Sequence, residues 1–216
     1  MPPATSPENH PSSIAGLILA AGESSRMAPL GVHKALLEYR GRTFLETIVA
    51  TLREAAVTRI IVVVGHRAER IQGQLASRLE GVEWVVNRDY PRGQTSSLQA
   101  GLTALDAGDA KAAVEAVILC LVDHPSVAAE TVRAVVRAFR QSGTPVVLPT
   151  YQNQCGHPVL ISRSLFAALV GLPQDAGANT VIRQHRDATQ LVEVNDAGIL
   201  VDVDDPESYL RLSVDR

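Results

Sequence analysis

Cysteine is scarce: the 216 residues hold two. Cys120 sits in an apolar run and Cys155 lies far along the chain, and neither has a CxxC partner or a neighbour at metal-ligand spacing. That argues against a structural zinc site and against a disulfide framework. An excess of one charge is also missing. A formal net charge of -3 with 20% charged residues lacks the basic surplus that polymeric nucleic acid demands, so no nucleic-acid partner is expected. Long hydrophobic runs are absent as well. Runs such as Ile60 to Gly65 and Ala116 to Val122 fall well short of the ~20 apolar residues that a membrane-spanning helix needs. The Pro-, Ser- and Asn-containing start, Met1 to Ser13, carries neither the apolar stretch nor the basic cluster of a targeting peptide. The expectation is a cytoplasmic protein with no membrane association, a disordered tail over 1–13 and one domain over 14–216. Two phosphate-loop patterns, GxxxxGK followed by Ser or Thr and GxGxxG, occur nowhere, which argues against a P-loop NTPase and a dinucleotide-binding protein.

What the chain does have is alternation. Short β-branched runs, Ala15 to Ala20, Ile60 to Val64, Trp84 to Asn87, Val117 to Val122 and Val146 to Leu148, alternate with segments of helical period. Those helical segments are Phe44 to Ala56, Ala68 to Leu79, Ser96 to Ala107 and Ala128 to Gln141. The pattern predicts a single-domain, three-layer α/β/α fold around a mostly parallel, Rossmann-like sheet. The first four strands carry few or no charges, as strands buried on both faces do. Beyond Pro149 the sequence predicts helices near Ser164 to Leu169 and Ala178 to His185, strand-like pieces at Leu191 to Val194 and Leu200 to Val203, and a closing helix at Glu207 to Leu212. With no internal repeat or linker, this last third reads as an acceptor-side lobe on the same sheet.

The residues that carry chemistry cluster where predicted strands end. Leu19-Ala20-Ala21-Gly22 closes the first strand and leads to Arg26 and Lys34. A small-residue turn at the carboxyl end of a parallel strand lets backbone N–H groups approach an anion; the same composition also suits an ordinary turn. Arg26 offers a bidentate grip on phosphate and Lys34 a mobile point charge, or both are solvated loop charges. Asp123 ends the run Val117 to Val122 just before Pro125, a place suited to Mg²⁺, which takes one or two protein carboxylates alongside phosphates; the alternative is a helix N-cap. Asp202 and Asp204 alternate with Val201 and Val203 and should share one face of a strand, either as a second metal ligand or as an exposed acidic face. Asp205, before Pro206 and Glu207, reads as a helix cap. His157, between Gly156 and Pro158, either contacts a ligand or shapes a strand entry.

Leu19-Ala20-Ala21-Gly22, Ser25-Arg26-Met27 and Lys34-Ala35-Leu36-Leu37 together resemble the N-terminal signature of the MobA-like nucleotidyltransferases. The likeness continues through Asn87, Gly93, Ser97-Leu98, Gly101, Asp123-His124-Pro125, Gly156-His157-Pro158-Val159, Asp175-Ala176-Gly177-Ala178 and Asp204-Asp205-Pro206-Glu207. It spans nearly the whole chain after the tail and is nearest to the molybdenum cofactor cytidylyltransferases. Three departures stand out: Ala28 where the family carries glycine, Pro29 to His33 lengthening the path from Arg26 to Lys34, and Asp205 where the family carries threonine.

The resemblance implies a nucleotide-diphospho-sugar-transferase type of fold and a Mg²⁺-dependent transfer of NMP, from CTP by preference, to a phosphorylated acceptor, with molybdopterin preferred. It implies Arg26, Lys34 and Asp123 as catalytic residues and Asp123 and Asp204 as metal ligands, with Asp202 as the rival second ligand. The nucleotide would meet Leu19, Ala20, Ala21, Gly22, Arg26, Lys34, Asn87, Gly93, Ser96 and Ser97, and the acceptor His157, Asp175 and Gly177. A molybdoenzyme or its chaperone is the implied protein partner. Two other readings stand beside this one: transfer to a sugar, polyol or other small-molecule phosphate, and a non-catalytic pterin or nucleotide carrier serving a molybdoenzyme.

Overall fold

The computed structural model describes residues 13–107 and 114–214. Among these residues ten strands and seven α-helices follow in chain order: β1 (Ser13–Ala20), β2 (Glu38–Tyr39), β3 (Arg42–Thr43), α1 (Phe44–Glu54), β4 (Ile60–Val64), α2 (Ala68–Leu75), β5 (Glu83–Val86) and α3 (Gln94–Ala107), then β6 (Val114–Leu121), α4 (Ala129–Ser142), β7 (Val146–Tyr151), β8 (Gln154–Cys155), β9 (Val159–Ser162), α5 (Phe166–Val170), α6 (Ala178–Gln184), β10 (Thr189–Glu193) and α7 (Pro206–Val214). The sheet runs β10-β7-β9-β6-β1-β4-β5, with β8 attached to β7. Pairs β1–β4, β1–β6, β4–β5 and β7–β10 are parallel. β9 alone on that path runs antiparallel to both of its neighbours. The last third therefore extends the same sheet.

Alternation along each strand divides the core in two. In β1, Ile14, Ile18 and Ala20 face one apolar cluster, shared with Leu45 and Leu52 of α1, Ile71 of α2 and Val135 of α4. Ala15, Leu17 and Leu19 face the other, shared with Leu98 and Leu102 of α3, Leu169 of α5 and Val181 of α6. Helices thus cover both faces because β1, β4 and β6 are apolar on both. α1 starts at a reciprocal cap: Thr43 Oγ1 accepts from the Glu46 N–H, and Glu46 Oε2 accepts from the Thr43 N–H.

Three expectations change. Leu200 to Val203 is not a strand: 197–200 forms a 3-10 turn capped by Asp196, and the Val203 N–H donates to the Asp123 carbonyl rather than to a sheet neighbour. Trp84 to Asn87 is not buried on both faces, because β5 ends the sheet and leaves Val86 49% exposed. Of the expected tail, 1–12 lie outside the described residues and Ser13 opens β1. Among the described residues no helix is long and apolar enough to cross a membrane.

α3 approaches β1 through Gly101, where a Cβ would lie 2.4 Å from Leu17 Cδ1 and 3.0 Å from Val63 Cγ2. Leu17 is fully buried, so it has nowhere to swing. Gly101→Ala gains up to about 1 kcal/mol of helix propensity but meets an overpacking cost of about 1–3 kcal/mol. The expected result is a net loss of stability, read as a lower urea midpoint; an equal or higher midpoint would show that the helix stands off the sheet.

Candidate active site

The loops that follow β1, β4 and β6 are stitched together at the carboxyl edge of the sheet. The Leu19 carbonyl accepts from the Val122 N–H at 3.2 Å, and the Ala21 carbonyl accepts from the His66 N–H at 3.0 Å. Asp123 lies two residues beyond β6. The Val203 N–H donates to the Asp123 carbonyl at 2.9 Å while the Val203 side chain is fully buried, and so Asp204, the next residue, arrives beside Asp123 from 81 positions further along the chain. Lys34 Nζ bridges the two acids, 2.5 Å from Asp204 Oδ1 and 3.5 Å from Asp123 Oδ2. Arg26 Nη1 holds the other Asp204 oxygen at 2.8 Å. The Lys34 ammonium, with Arg26 beyond it, holds the Asp204 carboxyl below its ordinary range.

Lys34 reaches this position through the lengthened spacer. Residues 25–30 form a 3-10 helix between two left-handed residues, Ser24 (φ 54°) and Gly31 (φ 64°), which turns the chain back toward the sheet. His33 then fixes the return: its Nδ1 accepts from the Ala35 N–H at 3.2 Å, leaving Nε2–H to donate to the Gly22 carbonyl at 2.8 Å. That pair of bonds requires the neutral ring, and burial lowers the His33 pKa accordingly. Sequence reasoning passed over His33, since nothing in its neighbours announces a role.

A cavity of about 430 Å³, within the usual range for ligand pockets, opens above these loops. Of the residues expected at the nucleotide, Leu19, Ala21, Gly22, Arg26, Lys34, Gly93 and Ser97 line it, together with Asp123 and Asp204. Ala20, Asn87 and Ser96 do not. Ala20 points into the core on the opposite pleat. Asn87, 5% exposed, donates its amide to the Ser96 and Ser97 hydroxyls at 2.9 and 3.0 Å and accepts on Oδ1 from the Asp89 N–H at 2.9 Å, so its polar groups are taken up in shaping the β5–α3 loop. Ser96 is likewise tied to the Asp89 and Gly93 carbonyls. The lining also includes Tyr90, Pro91 and Gln94, which sequence reasoning did not single out.

The three residues expected at the acceptor are not brought together. His157 packs its ring 4.8 Å from that of His124, and the two border a void of about 20 Å³ separate from the main cavity. Burial pushes the His157 pKa down to about 4 and lowers that of His124. Asp175 is exposed, and Gly177 is the N-cap residue of α6. The loop between them is anchored by the Ala176 carbonyl, which accepts from Thr95 Oγ1 at 2.7 Å. Asp202 and Asp204 border different cavities: Asp204 lines the main one, whereas Asp202 is exposed and lies with Tyr39, Arg40 and Asn195 at another. Asp205 caps α7 as expected, accepting from the Ser208 N–H at 2.7 Å. Asp123 caps nothing; the first turn of α4 is held by Asp196 Oδ2, which accepts from the Ala128 N–H and Thr131 Oγ1.

Among the described residues no group of three or more His, Cys, Asp and Glu is arranged to hold a metal ion. The pair Asp123 and Asp204 suits a cation that takes one or two carboxylates and completes its shell with phosphates and water. Asp123 Oδ1 fits this role in particular, being a buried acceptor with no hydrogen-bond donor.

The chain is similar to several characterised and solved proteins. It is 31% identical over 210 residues to the nicotine blue oxidoreductase of Paenarthrobacter nicotinovorans, covering 92% of this chain and 96% of that protein. It is 26% identical to the molybdenum cofactor cytidylyltransferase of Escherichia coli K12, covering 92% and 95%. The crystal structure of Rv0371c from Mycobacterium tuberculosis H37Rv superposes with a TM-score of 0.80 at 30% identity, covering 94% and 98%, and its manganese complex with a TM-score of 0.76 at 28% identity, covering 95% and 100%. The model of the MobA-like NTP transferase domain matches residues 16–189, and the chain therefore belongs to that family of nucleotidyltransferases.

Proposed function

We propose that the protein transfers an NMP group from a nucleoside triphosphate to a phosphorylated small molecule, with CTP as the first candidate donor and molybdopterin as the first candidate acceptor. The observation that carries this reading is the Lys34 ammonium set between Asp123 and Asp204 at the edge of the cavity. An oxygen of the acceptor phosphate attacks the α-phosphorus, the bond to the bridging oxygen breaks, and pyrophosphate leaves with the electron pair. Such a reaction asks the protein for positioning and for cations rather than for a nucleophile of its own. Lys34 and Arg26 supply the positive charge, and the backbone of 19–22 supplies the close approach. The buried Cys120, its thiol pushed up to about 12, is no nucleophile. Asp123 and Asp204 are the residues that would hold a divalent cation, Mg²⁺ or Mn²⁺, whose chemistry here is to neutralise and align the triphosphate. The molybdenum cofactor cytidylyltransferase of E. coli, similar over 92% of the chain, supports the choice of donor and acceptor. The oxidoreductase name of the P. nicotinovorans relative makes redox turnover the alternative to measure beside it, but a pair of carboxylates bridged by an ammonium suits phosphate and metal rather than hydride.

Pyrophosphate release is the direct measurement: each NTP with Mg²⁺ or Mn²⁺, against molybdopterin, sugar phosphates and polyol phosphates. Release with at least one pairing is expected, and none with any pairing contradicts the reading. Lys34→Ala should lower kcat by about 10²–10³-fold, the usual cost of removing one charge-stabilising group, and Asp123→Ala should abolish release. In direct titrations, metal and NTP should each tighten the other's binding; a pterin bound tightly without regard to either would point to a carrier.

Acid sensitivity follows from the same region. His157 is neutral in the native state down to about pH 4, against an ordinary value of 6.5. Between those values the unfolded chain binds the extra proton, so stability falls as pH is lowered through the window. His157→Gln should flatten that part of a curve of urea midpoint against pH; an unchanged slope would mean that the ring is solvated.

A further inference from the structure

Every charged side chain that borders the main cavity comes from the loop after β1, from the end of β6 or from the segment before α7: Glu23, Arg26, Lys34, Asp123 and Asp204. The stretch after β5 contributes an aromatic ring, a proline, a glycine, an amide and a hydroxyl from Tyr90, Pro91, Gly93, Gln94 and Ser97, and no charge. Sheet order sets these two sets apart, since β6 and β5 lie on opposite sides of β1, with β4 between β1 and β5. A triphosphate held at Lys34 and Arg26 would have room for its uncharged end on the side of Tyr90.

Tyr90 opens a 3-10 turn, 90–92, and is held from two sides. Its root is seated on Gly65, where a Cβ would fall 2.6 Å from Tyr90 Cβ and 2.8 Å from both Tyr90 Cγ and the Ala21 carbonyl. Its hydroxyl lies 3.4 Å from His66 Nδ1, and its ring meets that of His66 edge-on at 5.8 Å. His66 in turn stacks against His33 at 6.3 Å, the residue that clamps the Gly22 carbonyl. Three rings from three loops thus stand in series, and the outer two, His33 and Tyr90, border the cavity.

We propose that Tyr90 is the stacking surface for the nucleobase, and that His66 is a positioning residue that fixes the angle of the Tyr90 ring. The inference rests on the nucleotide reading above and adds to it the residue that contributes base affinity. An aromatic face accepts any base, so this contact supplies affinity without choosing among bases.

Equilibrium titration of the full chain with CTP, GTP, ATP and UTP in Mg²⁺, and separately with inorganic tripolyphosphate, tests the assignment. Tyr90→Ala should weaken the bound NTP by about 5–150-fold, the equivalent of the ~1–3 kcal/mol that base stacking contributes, and leave tripolyphosphate binding unchanged. Tyr90→Phe, which keeps the ring and the packing on Gly65, should stay within a few-fold of the wild type and guards against a folding defect. His66→Ala should weaken NTP binding in the wild type but add nothing in the Tyr90→Ala background, a coupling that a purely structural role would not give. Unchanged NTP affinity in Tyr90→Ala, or an equal loss for tripolyphosphate, overturns the proposal while leaving the nucleotide reading intact. A wild type that binds tripolyphosphate but no NTP overturns both.

Discussion

A lysine ammonium 10% exposed is tenable only if opposite charge comes with it, and here that requirement organises the molecule. Removing Lys34 from water costs several kcal/mol unless carboxylates compensate, and the two that do so come from the end of β6 and from the approach to α7. The hydrogen bond between the Val203 N–H and the Asp123 carbonyl fixes their spacing through the backbone, not through side chains free to drift. The first third of the chain, the middle strand and the C-terminal segment are consequently closed on one point. That point is also where a substrate carrying several negative charges would find its counter-charges already gathered, which is the sense in which packing and chemistry coincide here.

Much of this was legible in the residues. β1, β4 and β6 announce themselves as apolar on both faces, and their carboxyl ends carry the small-residue turn and Asp123. Asp204 was preferred to Asp202 only through resemblance, because what places it beside Asp123 is the bond of its neighbour, the Val203 N–H, to a carbonyl far away in sequence. The strand-like Leu200 to Val203 misled for a related reason: β-branched residues favour extended backbone, but the N–H groups there find loop partners instead of a ladder. β9 was legible only as a strand that His157 could lead into; its reversed direction was not, since the turn residues Asn153, Gly156 and Pro158 mark a bend without saying which neighbour the next strand joins.

The polar residues taken as ligand contacts show a second limit. Asn87, Ser96 and His157 look functional by type, yet Asn87 and Ser96 spend their polar groups on neighbouring loops and the His157 ring faces His124. A buried amide must satisfy its hydrogen bonds somewhere, and sequence does not reveal whether that partner is the protein itself. Tyr90 and His33 err the other way, ordinary by type and placed on the cavity wall by loops whose paths depend on Gly65 and on the left-handed residues Ser24 and Gly31.

The reversed course of β9 has a consequence for how the two halves of the protein can diverge. A parallel neighbour of β7 would be reached by a crossover returning from the far edge, whereas a reversed one is reached directly along the near edge. Residues 152–158 therefore stay at the end of the sheet where Asp123 lies, turned by Gln152 (φ 49°) and Asn153 (φ 63°). Lengthening or shortening that hairpin alters the rim beside His157 without shifting the register of β1, β4 or β5. One flank of the sheet is thereby free to change its outline while the other keeps its own.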